Sequence, residues 1–207
     1  MSESLNFWEN YYSNHQIPTD ESFFARFVMP FLNEGDTLFE IGCGNGRDSV
    51  FFAKQGMKVT AFDQCEKEVG FLNDEFSDLK DLLFKAGDFT DLGEQGKVKN
   101  VYSRFSLHSV ALEKEINTLD WASSSIEENG LFFIEVRSIF DELCGEGTEV
   151  AKNAYVTDHY RRFLEIEPFT NRLEEAGFNI LYKLQSKGLA PYKTEDPVVI
   201  RIIAQKV

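Results

Sequence analysis

The residues best placed to do chemistry lie in one run, Thr-Leu-Phe-Glu-Ile-Gly-Cys-Gly-Asn-Gly-Arg-Asp at positions 37–48. An apolar strand pattern ends there in an acidic side chain, Glu40, and Gly42, Gly44 and Gly46 then open a helix. Glycines at such a turn admit unusual φ/ψ and let a ligand approach the backbone closely. Arg47 stands where the G-x-G-x-x-G dinucleotide fingerprint has its third glycine, so that fingerprint is broken. The fingerprint grips pyrophosphate with a helix N-terminus. The carboxylate of Glu40 suits instead a ligand with a cationic amine.

Downstream spacing narrows the chemistry. The second strand pattern ends in Asp63, 23 residues after Glu40, where a carboxylate can accept from two ribose hydroxyls. Gln64 follows it. The third ends in Gly87-Asp88-Phe89, which offers a carboxylate to an adenine amino group and a ring to its face. Each acid alone reads equally well as a helix cap or turn residue. Three of them at the carboxyl ends of successive strands, beside a glycine loop, point to one ligand site.

These residues need a sheet to hold them. Strand patterns fall at Thr37–Ile41, Lys58–Phe62, Asp81–Ala86, Asn100–Phe105, Leu131–Val136, Phe178–Gln185 and Val198–Ala204. Helix patterns fall at Leu5–Tyr12, Asp20–Leu32, Asp48–Gln55, Lys67–Phe76, Glu113–Glu127 and Phe169–Ala176, with Asn129–Gly130 as a stop. Alternating strands and helices predict an α/β fold, a Rossmann-like seven-stranded, mostly parallel sheet with helices on both faces. The last two strands have no helix between them and must pair as a hairpin, which places an antiparallel strand in the sheet. The 207 residues suit a single domain, residues 1–207, with an N-terminal helical lid over residues 1–36. Two irregular segments, residues 137–165 and 186–197, are expected to be insertions on the substrate side.

Composition excludes several classes. A net charge of −14 disfavours a nucleic-acid binder, which needs basic patches. The charge is uneven, since residues 137–207 carry 10 Lys+Arg against 11 Asp+Glu and the preceding 136 carry 11 against 24. No apolar run reaches the roughly 20 residues of a membrane span. The start lacks a basic n-region and apolar core, so no signal peptide is read there. Cys43, Cys65 and Cys144 are odd in number and form no CxxC pair, which argues against a disulfide framework or a zinc cage and favours a reducing cytoplasm. No metal site is expected, because Asp141, Glu142 and His159 match no recurring ligand spacing.

From about Thr37 to Ala204 the chain resembles the class I S-adenosylmethionine-dependent methyltransferases, which also end their sheet with an antiparallel strand. The resemblance implies S-adenosylmethionine as cofactor and S-adenosylhomocysteine as product. Glu40, Gly42, Cys43, Gly44, Asn45, Gly46 and Arg47 would line the methionine moiety. Asp63 with Gln64 would bind ribose, and Asp88 with Phe89 adenine. Ser103–Phe105 would face the methyl group, with Arg104 and Phe105 beside it. Ser-Arg-Phe-Ser-Leu-His at this point lacks the motif of DNA or protein amine methylases.

The sulfonium is a strong electrophile, so catalysis is mainly alignment and desolvation. A hydroxyl acceptor needs a base, and His108 is the candidate; a hydrogen-bonded structural histidine is the alternative. Tyr11 and Tyr12 of the lead helix could close over the sulfonium, Tyr12 on the cofactor and Tyr11 on the substrate, whereas Trp8 is expected to pack in the core. His159, Tyr160, Arg161 and Arg162, with Arg137 and Tyr192, read as a grip on an anionic acceptor; a solvated charged turn is the alternative. The lid and Arg-rich insert are similar to tellurite-resistance-type methyltransferases and to those of bacterial capsule and surface-polysaccharide clusters. That similarity implies a sugar, phosphate or phosphoramidate oxygen of a surface-polysaccharide precursor as acceptor. The protein would work as a monomer or homodimer. A nicotinamide-dependent oxidoreductase and a non-catalytic cofactor-binding partner protein are the competing readings.

Overall fold

The computed structural model describes residues 3–13 and 20–207; the expected lid therefore extends in part, at residues 1–2 and 14–19, outside the described residues. A seven-stranded sheet organises the chain. Its strands are β1 (Thr37–Ile41), β2 (Lys58–Asp63), β3 (Leu82–Ala86), β4 (Val98–Arg104), β5 (Ile126–Arg137), β9 (Phe178–Ser186) and β10 (Val199–Lys206). They lie in the order β3-β2-β1-β4-β5-β10-β9. The five strands from β3 to β5 are parallel, and β10 runs antiparallel to both β5 and β9. The order reverses between β1 and β4, so a crevice opens at the carboxyl ends of these neighbours, where ligands of open α/β sheets bind.

Side chains alternate across the sheet and build two cores. Leu38, Tyr102 and Phe133 face one core with α2 (Phe23–Val28), α3 (Arg47–Lys54) and α4 (Glu66–Glu75). Phe39, Val101, Phe132 and Ile134 face the other with α5 (Leu112–Ser125) and α6 (Ile166–Glu175). Strands buried on both faces read as continuous apolar runs, which is why Leu131–Val136 shows no polar alternation. The central strands thereby hold the loops at their ends rigidly.

Three expectations are corrected. The helix expected over residues 20–32 is shorter, because the Ser22 hydroxyl accepts from the Ala25 N–H at 3.0 Å and caps α2 at Phe23. Pro30 has no N–H to continue the ladder, and residues 29–31 tighten into a 3₁₀ turn. Helix α5 stops at Ser125 rather than near Asn129, since buried Ile126 already pairs with Val98 in the sheet. Part of the segment expected to be irregular, residues 137–165, forms structure too. With Tyr160–Arg162 (β8), Thr148–Ala151 (β6) and Ala154–Val156 (β7) make a three-stranded antiparallel sheet of order β6-β7-β8. These strands have only 3–4 residues each, too short to show periodicity.

Candidate active site

Strand β1 delivers Glu40 to the sheet edge, and the chain then turns through Gly42 and Gly44 at φ +69° and +56°. The Gly42 and Cys43 N–H groups donate to the Phe62 carbonyl at 2.8 and 3.0 Å, and the Gly44 N–H donates to Asp63 Oδ2 at 2.9 Å. Ser106 Oγ donates to the Ile41 carbonyl at 2.8 Å. The glycine loop is thus pinned to the ends of both β2 and β4. A Cβ on Gly44 would stand 2.6 Å from the phenol oxygen of Tyr12, so only glycine admits the lid helix α1 (Glu3–Ser13) this close. Gly46 instead caps α3, where a Cβ would meet Phe84 at 2.8 Å.

The acids here are buried. Burial and the neighbouring Asp48 carboxylate push the Glu40 carboxyl well above its ordinary range, while a short hydrogen bond from Ser49 Oγ opposes the shift. Burial also raises Asp63, against the N–H groups of Cys65 and Gly44. Asp48 accepts from the Ser22 N–H and Oγ, both at 2.7 Å, and from Tyr102 Oη at 2.8 Å. Ser22 and Asp48, which sequence reasoning missed, tie the N-terminal segment to the glycine loop. Asp48 reads in the sequence as an ordinary first-turn acid, and its partners lie 26 and 54 residues away. Asp88 is more open, paired with Lys114 at 3.2 Å and accepting from Thr90.

Strand β4 ends in Arg104 and Phe105. Phe105 is held at φ +56°, a strained conformation for a bulky side chain. The Arg104 and Arg137 guanidinium carbons lie 4.3 and 5.5 Å from its ring centre, and the His108 ring 5.4 Å. Arg104 donates to buried Glu135 at 2.8 Å. Arg137 Nη1 donates to both Asp141 oxygens at 3.0 Å, and its Nη2 to Glu195 at 3.1 Å. Across from them, α1 presents Phe7 and Trp8, whose rings sit 4.4 and 4.9 Å from that of His159. Burial and Arg161 lower the His159 imidazole to about 4, although its Nδ1 lies 3.1 Å from Asp158. Burial and the cations of Arg137 and Arg161 hold His108 neutral, well below the ordinary histidine range.

One cleft of about 1770 Å³ joins these two groups. Of the residues expected at the site, Tyr11, Tyr12, Glu40, Gly42, Cys43, Gly44, Asn45, Arg47, Asp63, Gln64, Asp88 and Phe89 line it. So do Arg104, Phe105, His108, Arg137, His159, Tyr160, Arg161 and Tyr192. Ser103 does not, being fully buried within β4. Gly46 does not, being turned against Phe84. Arg162 does not either: it is buried, ion-paired with Glu115, and bonded to the Val110 carbonyl at 3.3 Å. Trp8, expected in the core, lines the cleft because α1 packs its aromatic side against His159. Asp141 and Glu142, the acids considered for a metal, are engaged by Arg137 and Lys187.

Sheet order and site together define the Rossmann-like class I methyltransferase fold. The methyltransferase-domain family model matches residues 14–183, and the chain belongs to that family. No curated protein matches it. Among solved structures, a methyltransferase from Methanosarcina mazei described as S-adenosylmethionine-dependent superposes with a TM-score of 0.77 at 16% identity, covering 91% of this chain and 99% of that one. A 1,6-didemethyltoxoflavin-N1-methyltransferase of Burkholderia thailandensis, solved with its substrate and S-adenosylhomocysteine, gives 0.74 at 18% identity over 98% and 86%. A TehB-like methyltransferase of Corynebacterium glutamicum gives 0.69 at 16% over 99% and 98%. Among the described residues no helix is long and apolar enough to cross a membrane.

Proposed function

We propose that the protein binds S-adenosylmethionine at the ends of β1–β3 and methylates a small, negatively charged acceptor held beside Phe105, His108 and Arg137. The observation that carries this reading is the single cleft, about 1770 Å³, larger than the roughly 300–1,000 Å³ of a one-ligand pocket. The cofactor end fits the ligand: buried Glu40 suits its ammonium, Asp63 its ribose hydroxyls, and Asp88 with Phe89 its adenine. Tyr12 and the glycine loop close over its methionine part. When bound, the cofactor supplies an electrophilic methyl group. The chain's own residues orient it, exclude water through α1, and hold the acceptor in line. Relatives of known structure with bound S-adenosylhomocysteine or S-adenosylmethionine support the choice.

At the other end, Glu195 favours an acceptor acid. Its exposed carboxylate takes the outer nitrogen of Arg137, a place that an acceptor's carboxylate or phosphate can take in exchange. Arg161, His159, Tyr160 and Tyr192 complete that wall. A phosphorylated sugar, as in surface-polysaccharide precursors, remains within this class, although Arg162 is committed to Glu115. Residues 1–207 act in this reading as one methyltransferase domain, in the cytoplasm, as monomer or homodimer; the free thiols of Cys43, Cys65 and Cys144 favour a reducing compartment. The test is incubation with methyl-labelled S-adenosylmethionine and a panel of small acids and sugar phosphates. Label transfer to an acid but not to its uncharged analogue supports the reading. Cofactor binding without transfer to any acceptor moves it to the non-catalytic partner.

A further inference from the structure

We infer that His159 latches the lid: its ring clasps Phe7 and Trp8 of α1, and Trp8 passes that hold through Tyr12 to the glycine loop, so that a residue of the acceptor wall helps to retain the cofactor. The inference rests on the cofactor reading of the cleft and adds a positioning residue to it. His159 lies between β7 and β8, and 8% of its side chain is exposed. Its ring centre is 4.4 Å from that of Phe7, at an interplanar angle of 33°, and 4.9 Å from that of Trp8, at 56°. Trp8 in turn stacks on Tyr12 at 5.8 Å and 20°. The Tyr12 phenol fills the space that a Cβ on Gly44 would take. Each ring pair is a modest contact, but the three act in series along one helix.

The turn that carries the imidazole is braced. Asp158 accepts from the His159 N–H at 3.0 Å and from Arg161 Nη1 at 2.8 Å, and the same Arg161 nitrogen donates to Thr157 at 2.7 Å. The helix that it meets has a second mooring on α4. The groups around His159 set its charge. Arg161 and Arg137 oppose its protonation, Asp158 favours it, and the nearby His108 is itself held neutral. From α1 it meets the uncharged rings of Phe7 and Trp8, while Glu9 of that helix acts on Cys65 at the start of α4. Closing the lid buries the imidazole and disfavours its charged form; opening returns it to water. Above about 6.5 the ring is neutral whether the lid is open or shut, and nothing opposes closure. As pH falls from 6.5 toward 4, an open lid takes up a proton that a closed one refuses, and closure weakens.

The test is calorimetric titration of the full chain with S-adenosylhomocysteine at pH 7.5 and pH 5, beside His159→Ala and His159→Phe. At pH 7.5 His159→Ala should bind about tenfold more weakly than the wild type. His159→Phe keeps a ring but cannot titrate, and should bind as the wild type does. Between pH 7.5 and pH 5 the wild type should lose about tenfold more affinity than His159→Phe. Losses from Glu40 and Asp63 are common to both and cancel in that comparison. A reading free of ligand comes from Trp121→Phe, which leaves Trp8 as the sole tryptophan. Its emission should shift to the red at pH 5, as the ring meets water, and should not shift once His159→Phe is added. Undiminished affinity in His159→Ala, equal weakness in both variants, parallel pH profiles, or Trp8 emission indifferent to pH would each overturn the latch. Failure to bind S-adenosylhomocysteine at all would overturn the cofactor reading, while the emission of Trp8 still decides whether His159 holds the lid.

Discussion

The two ends of the cleft are built by different means. The proposed cofactor end is made of backbone and strand termini: β1, β2 and β3 each bring an acid to within two residues of their carboxyl ends, and glycine lets the chain turn after β1. The proposed acceptor end adds, to the residues at the ends of β4 and β5, side chains carried by α1, residues 158–161 and residues 190–197, which come together only in the fold. Their electrostatics differ as well. Burial raises the acids Glu40, Asp63 and Glu68 behind the first, and burial with neighbouring cations lowers the histidines His108 and His159 in the second. A general site for one ligand can be written into a sheet edge, whereas a specific one is assembled from insertions.

Substitutions should separate the ends. The largest effect is expected at Gly44→Val, whose side chain would collide with Tyr12 and demand a positive φ from a β-branched residue. S-adenosylhomocysteine affinity should fall by about 100-fold or more in a calorimetric titration, and the strained backbone should lower stability in thermal unfolding by about 1–3 kcal/mol. An unaltered affinity would mean that the lid does not close on this loop. Next comes Arg162→Ala, which leaves Glu115 buried with Arg172 alone. A stability loss of about 3 kcal/mol in urea unfolding, with cofactor affinity intact, would confirm that Arg162 anchors the insert rather than gripping the acceptor.

A smaller effect belongs to Arg137→Ala. It should raise KM for an acidic acceptor about tenfold and leave the S-adenosylhomocysteine dissociation constant unchanged; a matching loss of cofactor affinity would erase the division between the ends. The smallest effects concern pH. Glu68 is raised by burial from 4.5 to about 7, so its favourable term is present at low pH and is lost as pH rises through 7. His159 is lowered from 6.5 to about 4, so its term is present above 6.5 and is lost as pH falls toward 4. In melting curves Glu68→Gln should therefore gain on the wild type at pH 8 but not at pH 4. His159→Asn should gain on it at pH 4.5 but not at pH 8. The same sign for both would contradict the electrostatic contrast.

The sequence shows the proposed cofactor end far better than the proposed acceptor end, for physical reasons. Glu40, Asp63 and Asp88 sit where apolar runs stop, and the glycines between Gly42 and Gly46 cluster in a few residues, so local pattern alone locates them. The seven strands of the main sheet show through because each is 5 residues or longer and carries several apolar side chains. Strands β6 to β8 do not, being short, with β6 exposed along its whole length. Arg162 looks like a free cation beside Arg161, yet its partner Glu115 lies 47 residues away. Trp8 reads as a core residue because nothing near it in sequence reveals His159. The pairing of Ser22 with Asp48 is invisible for the same reason.

The most direct measurement is a calorimetric titration of the intact protein with S-adenosylhomocysteine, beside Asp63→Ala and Arg161→Ala. The account predicts micromolar binding to the wild type and to Arg161→Ala, and its loss in Asp63→Ala. Absence of binding to the wild type, or equal binding to Asp63→Ala, would contradict the assignment of the cofactor to the ends of β1–β3.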